Sequence, residues 1–155
     1  MDYSKPGAPL GAAVQAQSNF HPVKRALLAE DDAGNRMVAT ELLRIMDFTV
    51  DAVESGLDAF AKYVAGPYSV GVFDVQMKGI MNGIELISSI REHEKLYTLP
   101  PLSILCVTAS VQPADRDKCF EAGANDYLAK PYSTAIFQTK INDLYQISAP
   151  ALKSA

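Results

Sequence analysis

The chain has 155 residues, 48% of them hydrophobic and 21% charged, and its 14 basic against 18 acidic residues give a net charge of −4. This is the length of one ordinary domain with enough apolar material for a core, which excludes a disordered or fibrous chain. The acidic balance argues against a nucleic-acid partner held through phosphate contacts, and no apolar run approaches the roughly 18 residues of a membrane span. The N-terminus lacks the basic region and apolar block of a signal peptide. Two cysteines, Cys106 and Cys119, are too few for a disulfide scaffold and lack metal-ligand spacing, so both read as buried thiols. The expectation is a soluble, cytoplasmic, single-domain protein.

Residues 1–22 hold Pro6, Pro9 and Pro22 with only Asp2 and Lys5 charged, a composition expected of a flexible leader. Five short apolar runs then alternate with longer amphipathic stretches. The runs are Arg25–Ala29, Thr49–Val53, Val70–Phe73, Leu102–Val107 and Asp126–Ala129, and three are apolar nearly throughout, as suits central parallel strands covered on both faces. Helices are expected over Asn35–Met46, Leu57–Ala65, Gly83–Glu94, Ala114–Ala122 and Thr134–Ile147. Val38, Leu42 and Ile45 form the apolar stripe of the first, and Pro113 and Ser133 start the last two. Strict βα alternation predicts a doubly wound α/β fold, a parallel sheet with right-handed crossovers and helices on both faces. The domain is expected over residues 23–148, followed by a tail at 149–155.

In such sheets ligands bind beyond the carboxyl ends of the strands. The first run ends in Glu30-Asp31-Asp32, the third in Asp74, the fourth in Thr108 and the fifth in Lys130. Taken singly, each has a bland explanation: Asp32 as a helix cap, Thr108 as a turn cap, Lys130 as a solvated side chain. Asp74 is harder to dismiss, because a charge closing an apolar strand is expensive without a partner. Carboxylates gathered at one sheet edge repel unless a cation joins them, and a hard divalent ion held by carboxylates, waters and a phosphoryl oxygen is the Mg²⁺ pattern. Lys130 supplies a second positive charge for a dianionic group. The constellation predicts a site that handles phosphoryl groups.

The motifs LLAEDD with Asn35-Arg36 after it, FDVQM, VTAS and YLAKP, in this order and at these strand ends, resemble the receiver domain of two-component response regulators. The resemblance covers Arg25 to about Ile147. It implies a flavodoxin-like (βα)5 fold with strand order 2-1-3-4-5. It further implies that Asp74 is the phosphoacceptor, taking a phosphoryl group from a phosphohistidine of a histidine kinase or histidine phosphotransfer protein. Glu30, Asp31 and Asp74, with the backbone carbonyl of Gln76, match the Mg²⁺ ligands, and Asp32 falls outside that set. Thr108 and Lys130 match the groups that bind phosphoryl oxygens, Tyr127 matches the aromatic switch residue, and the Lys130–Pro131 bond is expected to be cis. The domain is then an acceptor, not a turnover enzyme, that presents a switched surface to a downstream protein.

One departure stands out: Lys78-Gly79-Ile80-Met81-Asn82-Gly83 lacks the family's usual proline after FDVQM and carries an extra residue. With eight residues left after Ile147, an attached DNA-binding output is disfavoured. A phosphorylation-independent interaction module needs a damaged site, which is absent here. A haloacid-dehalogenase-type hydrolase needs a second Asp where Gln76 stands.

Overall fold

The structure, a computed structural model, describes residues 24–154, with side chains to Ser148. The expected leader lies outside the described residues. The elements are β1 (Arg25–Ala29), α1 (Ala33–Ile45), β2 (Thr49–Val53), α2 (Gly56–Ala65) and β3 (Val70–Asp74), then α3 (Gly83–Tyr97), β4 (Ser103–Thr108), α4 (Pro113–Ala122), β5 (Asp126–Ala129) and α5 (Thr134–Ser154). The strands form one sheet in the order β2-β1-β3-β4-β5, and every neighbouring pair is parallel.

Alternation along each strand sorts the core into two layers. Ala26, Leu28, Val70, Val72, Leu105 and Val107 meet α1 and α5 through Leu42, Leu43, Phe137, Ile141 and Leu144. Leu27, Ala29, Phe73, Ile104 and Cys106 turn the other way, onto Ala59 of α2, Leu86, Ile87 and Ile90 of α3 and Cys119 of α4. Both cysteines are buried and unbridged, as expected. Burial pushes both thiols up in pKa, so neither is a ready nucleophile.

Local chemistry sets the helix starts. Asp32 caps α1 by accepting from Asn35 N at 2.7 Å, Ser55 caps α2, and Asn82 forms a reciprocal capping box with Glu85 on α3. Pro113 opens α4, and Ser133 accepts from Ile136 N at 3.1 Å at the head of α5. Gly83 is forced by a close approach: a Cβ there would lie 2.8 Å from Val75 Cα and collide with the Asp74 carbonyl. The start of α3 is thereby packed against the end of β3.

Two expectations need correction. The buried stripe of α1 is Ala39, Leu42 and Leu43, while Val38 and Ile45 are 56% and 69% exposed. The two candidate stripes share Leu42, and small Ala39 lets the helix sit closer to the sheet than bulkier Val38 allows. Helix α5 also runs beyond Ile147 to Ser154, where a tail was expected. Ser148 is buried and donates its hydroxyl to the Ser69 carbonyl at 2.6 Å, so tertiary anchoring carries the helix past the end of its apolar pattern. Among the described residues no helix is long and apolar enough to cross a membrane.

Candidate functional site

The carboxyl ends of β1, β3, β4 and β5 meet at one edge of the sheet. Glu30 and Asp31 follow β1, Asp74 closes β3, Thr108 closes β4, and Lys130 follows β5. The register sets Asp74 beside Val107 and Thr108 beside Ala129, so each polar side chain emerges next to the others. Glu30, Asp31 and Asp74 each offer an oxygen within 4.8 Å of the other two. Glu30 and Asp74 are buried, and Asp31 is half-buried.

Lys130 holds this cluster together. Its Nζ lies 3.1 and 3.2 Å from the two Glu30 carboxylate oxygens and 3.5 Å from Asp74 Oδ2. Burial, followed by the neighbouring Asp74 carboxylate, raises the Glu30 pKa to about 7, against the pull of Lys130. For Lys130, burial disfavours the charged form, but the Asp74 and Glu30 carboxylates outweigh it and the pKa is raised. The lysine is therefore a permanent cation. The Lys130–Pro131 bond that follows it is cis, as the resemblance implied.

Main-chain donors orient the acids. Gln76 N donates to Asp74 Oδ1 at 3.2 Å, and Lys78 N donates to Asp31 Oδ2 at 3.2 Å. The unusual loop after β3 thus leans on Asp74 and Asp31, with Gly79 at φ 103° allowing its turn. An open groove of about 510 Å³, lined by Asp31, Gln76 and Lys78 with Glu54 and Ser55 opposite, gives solvent access to the site. Asp32 caps α1 and stands outside the cluster, as anticipated.

Thr108 is buried, and its Oγ1 accepts from Gln76 Nε2 at 2.7 Å and from Ser110 N at 3.0 Å. Tyr127 is half-buried on β5 and donates its hydroxyl to the Ser110 carbonyl. Sequence reasoning missed two participants. Arg36 donates from Nη1 to the Glu30 carbonyl at 2.9 Å, bracing the turn that carries the acidic pair. Its signal was present in the Asn35-Arg36 motif, but without a role. The Gln76 side chain had no signal, because its contacts depend on the pairing of β3 with β4.

The donor set fits a hard divalent cation: carboxylate oxygens close together, Glu30 and Asp74 buried, the Glu30 pKa raised by burial and then by the Asp74 carboxylate, and no soft ligand among them. The fold and this site define a doubly wound α/β domain with an acidic cluster and a lysine at the carboxyl ends of its strands. The family model for the response regulator receiver domain matches residues 26–142, and the chain belongs to that family. Over 127 residues the chain is 34% identical to hybrid signal transduction histidine kinase L of Dictyostelium discoideum, a match covering 80% of this chain but 7% of that protein. The chain thus spans a small fraction of the curated relatives it matches.

Among solved structures, it resembles the receiver domain of the Saccharomyces cerevisiae response regulator Ssk1, crystallised with the histidine phosphotransfer protein Ypd1. The TM-score is 0.77 at 26% identity, covering 84% of this chain and 94% of that one. The receiver domain of the Pseudomonas aeruginosa sensor histidine kinase PA1611, solved with a magnesium ion in its active-site cleft, matches with TM-score 0.71 at 28% identity, covering 79% of this chain and 98% of that one. The fold is the (βα)5 flavodoxin-like arrangement that the sequence implied, and the chain is a receiver domain of two-component and phosphorelay signalling.

Proposed function

We propose that Asp74 is the phosphoacceptor, charged by a phosphohistidine of a histidine kinase or histidine phosphotransfer protein, and that the charged form presents a changed surface to a downstream protein. The observation that carries this reading is the meeting of Glu30, Asp31 and Asp74 within 4.8 Å, with Lys130 bonded across two of them. An Asp74 carboxylate oxygen attacks phosphorus. The P–N bond to the donor imidazole breaks and its electron pair leaves on that ring nitrogen, while a proton on the other ring nitrogen keeps the departing imidazole neutral. Lys130 binds one phosphoryl oxygen and the Thr108 hydroxyl another, stabilising the charge spread over them. Glu30, Asp31, Asp74 and the Gln76 carbonyl are the proposed ligands of Mg²⁺, which supplies positive charge against the carboxylates and the phosphoryl group when bound.

This assigns the domain the role of a once-charged acceptor in place of a turnover enzyme. It also places it in the cytoplasm, where kinases charged from ATP are found. Acetyl phosphate with Mg²⁺ should add one phosphoryl group to the protein, read as a single mass increment, and Asp74→Asn should lose it. Undiminished labelling of Asp74→Asn overturns the assignment.

A further inference from the structure

Gln76 lies two residues beyond Asp74, and although exposed it is held at both ends of its carboxamide. Nε2 donates to Thr108 Oγ1 at 2.7 Å, and Oε1 accepts from Ala109 N at 3.2 Å. The orientation of the amide follows from Ala109, whose N–H can only donate and so must face the oxygen. One side chain from the loop after β3 therefore pins two consecutive residues at the end of β4. Ser110 N takes the remaining lone pair of Thr108 Oγ1 at 3.0 Å, so both acceptor positions of that hydroxyl are filled.

An anion formed on Asp74 draws the Thr108 hydroxyl toward itself only by pulling it away from Gln76. It also finds the neighbouring Ala109 N–H already occupied by a neutral acceptor. We propose that the Gln76 carboxamide is a latch, a positioning residue that holds the end of β4 in its resting place and slows both phosphorylation of Asp74 and the switch that follows. A charged phosphoryl oxygen is about twice as strong an acceptor as a neutral group, so the latch yields once the phosphoryl group is in place. It delays the change without blocking it. The proposal rests on the Asp74 reading above and assigns a task to a side chain that reading leaves idle.

The test uses the full chain with acetyl phosphate and Mg²⁺. In the labelling step an Asp74 oxygen bonds to phosphorus as the bond from phosphorus to the acetyl oxygen breaks, and acetate leaves with the electron pair. Gln76→Ala, and Gln76→Asn with its shorter reach, should label about 2- to 10-fold faster than wild type at low donor concentration, the factor that one neutral hydrogen bond of ordinary net strength represents. They should bind beryllofluoride more tightly by a similar factor, and the Ala109 amide should exchange with deuterated water faster. In a Thr108→Ala background, Gln76→Ala should accelerate labelling less than it does in wild type, because the two residues act on one bond. Equal or slower labelling of the Gln76 variants, with wild type labelled normally, overturns the latch and leaves the Asp74 assignment standing. No labelling of any of the proteins overturns both.

Discussion

Tyr127 and Thr108 are joined through Ser110: the Tyr127 hydroxyl donates to the Ser110 carbonyl at 3.0 Å, while Ser110 N donates to Thr108 Oγ1 at 3.0 Å. The Ser110 hydroxyl bonds to Asp115 in the first turn of α4. Thr108 therefore cannot move toward a phosphoryl group without straining the residue that holds both the Tyr127 ring and the start of α4. The ring packs against the layer built from α2, α3 and α4, so releasing it changes that face.

This coupling makes the switch testable with beryllofluoride, a mimic of the phosphoryl group. A charge-assisted hydrogen bond to Thr108 is worth about 1.5–3 kcal/mol, enough to invert a population of several per cent. The Tyr127 ring resonances should shift in wild type and stay nearly unmoved in Thr108→Ala. Shifts of equal size in both proteins would show that Tyr127 is not governed by Thr108.

Metal binding should appear as stability. A ligand that binds only the folded state at a hundred times its Kd adds about 2.7 kcal/mol, so millimolar Mg²⁺ should raise the melting temperature. Asp31→Ala should abolish that response. In the metal-free protein the same change relieves repulsion within the acidic cluster but strips Lys78 N of its acceptor, and these opposed effects should leave stability within about 1 kcal/mol of wild type. Calorimetric titration of Asp31→Ala showing wild-type Mg²⁺ affinity would remove Asp31 from the ligand set.

Acidity offers an independent probe of the same cluster. Without metal, folded Glu30 keeps its proton up to about pH 7, whereas its ordinary pKa is 4.5. Between those values the folded state binds more protons than the unfolded chain, so stability falls as pH rises, from its full value below the ordinary pKa to its loss above the folded one. The shift corresponds to an effect of up to about 3 kcal/mol. Urea unfolding in chelator should show this slope, Glu30→Gln should flatten it, and saturating Mg²⁺ should flatten it by favouring the ionised carboxylate. A Glu30→Gln protein with the wild-type slope would place the responsible group elsewhere.

What the sequence made legible follows from how each feature is encoded. The central strands are short apolar runs covered on both faces, so their ends, and with them Asp74, Thr108 and Lys130, can be read directly. Bounds shifted by only a residue or two: Asp74 belongs to β3 and Ser103 opens β4. The buried face of α1 was misread because periodicity alone favours the larger side chains Val38 and Ile45, whereas close packing favours Ala39. The resemblance marks Gln76 for its backbone carbonyl alone, and its side-chain contacts escaped notice because an amide two residues past a strand has no periodic signature. Its partners are set by parallel pairing of β3 with β4, a relation between residues 32 apart.

The corrected face of α1 leads to the last prediction. Met37, Val38 and Ile45 are 68%, 56% and 69% exposed, and Val38 and Ile45 lie two turns apart on one side of the helix. Single exposed apolar residues are ordinary, but three on one short helix that starts beside Asp31 form a surface whose burial by a partner would be favourable. On the proposed reading the donor brings its phosphohistidine to Asp74, and this helix begins just after Asp31 of the same cluster. Met37→Glu and Val38→Glu should therefore slow transfer from a phosphorylated histidine phosphotransfer protein, since a charge placed in an apolar contact is costly. Met37 is not one of the clustered acids, so labelling of Met37→Glu by acetyl phosphate should be unchanged. Val38 shares a groove with Lys130, so Met37→Glu carries the comparison between donors. Rapid-quench assays with the two donors separate docking from chemistry. Equal slowing with both would point to damage at the site and reject the docking role of α1.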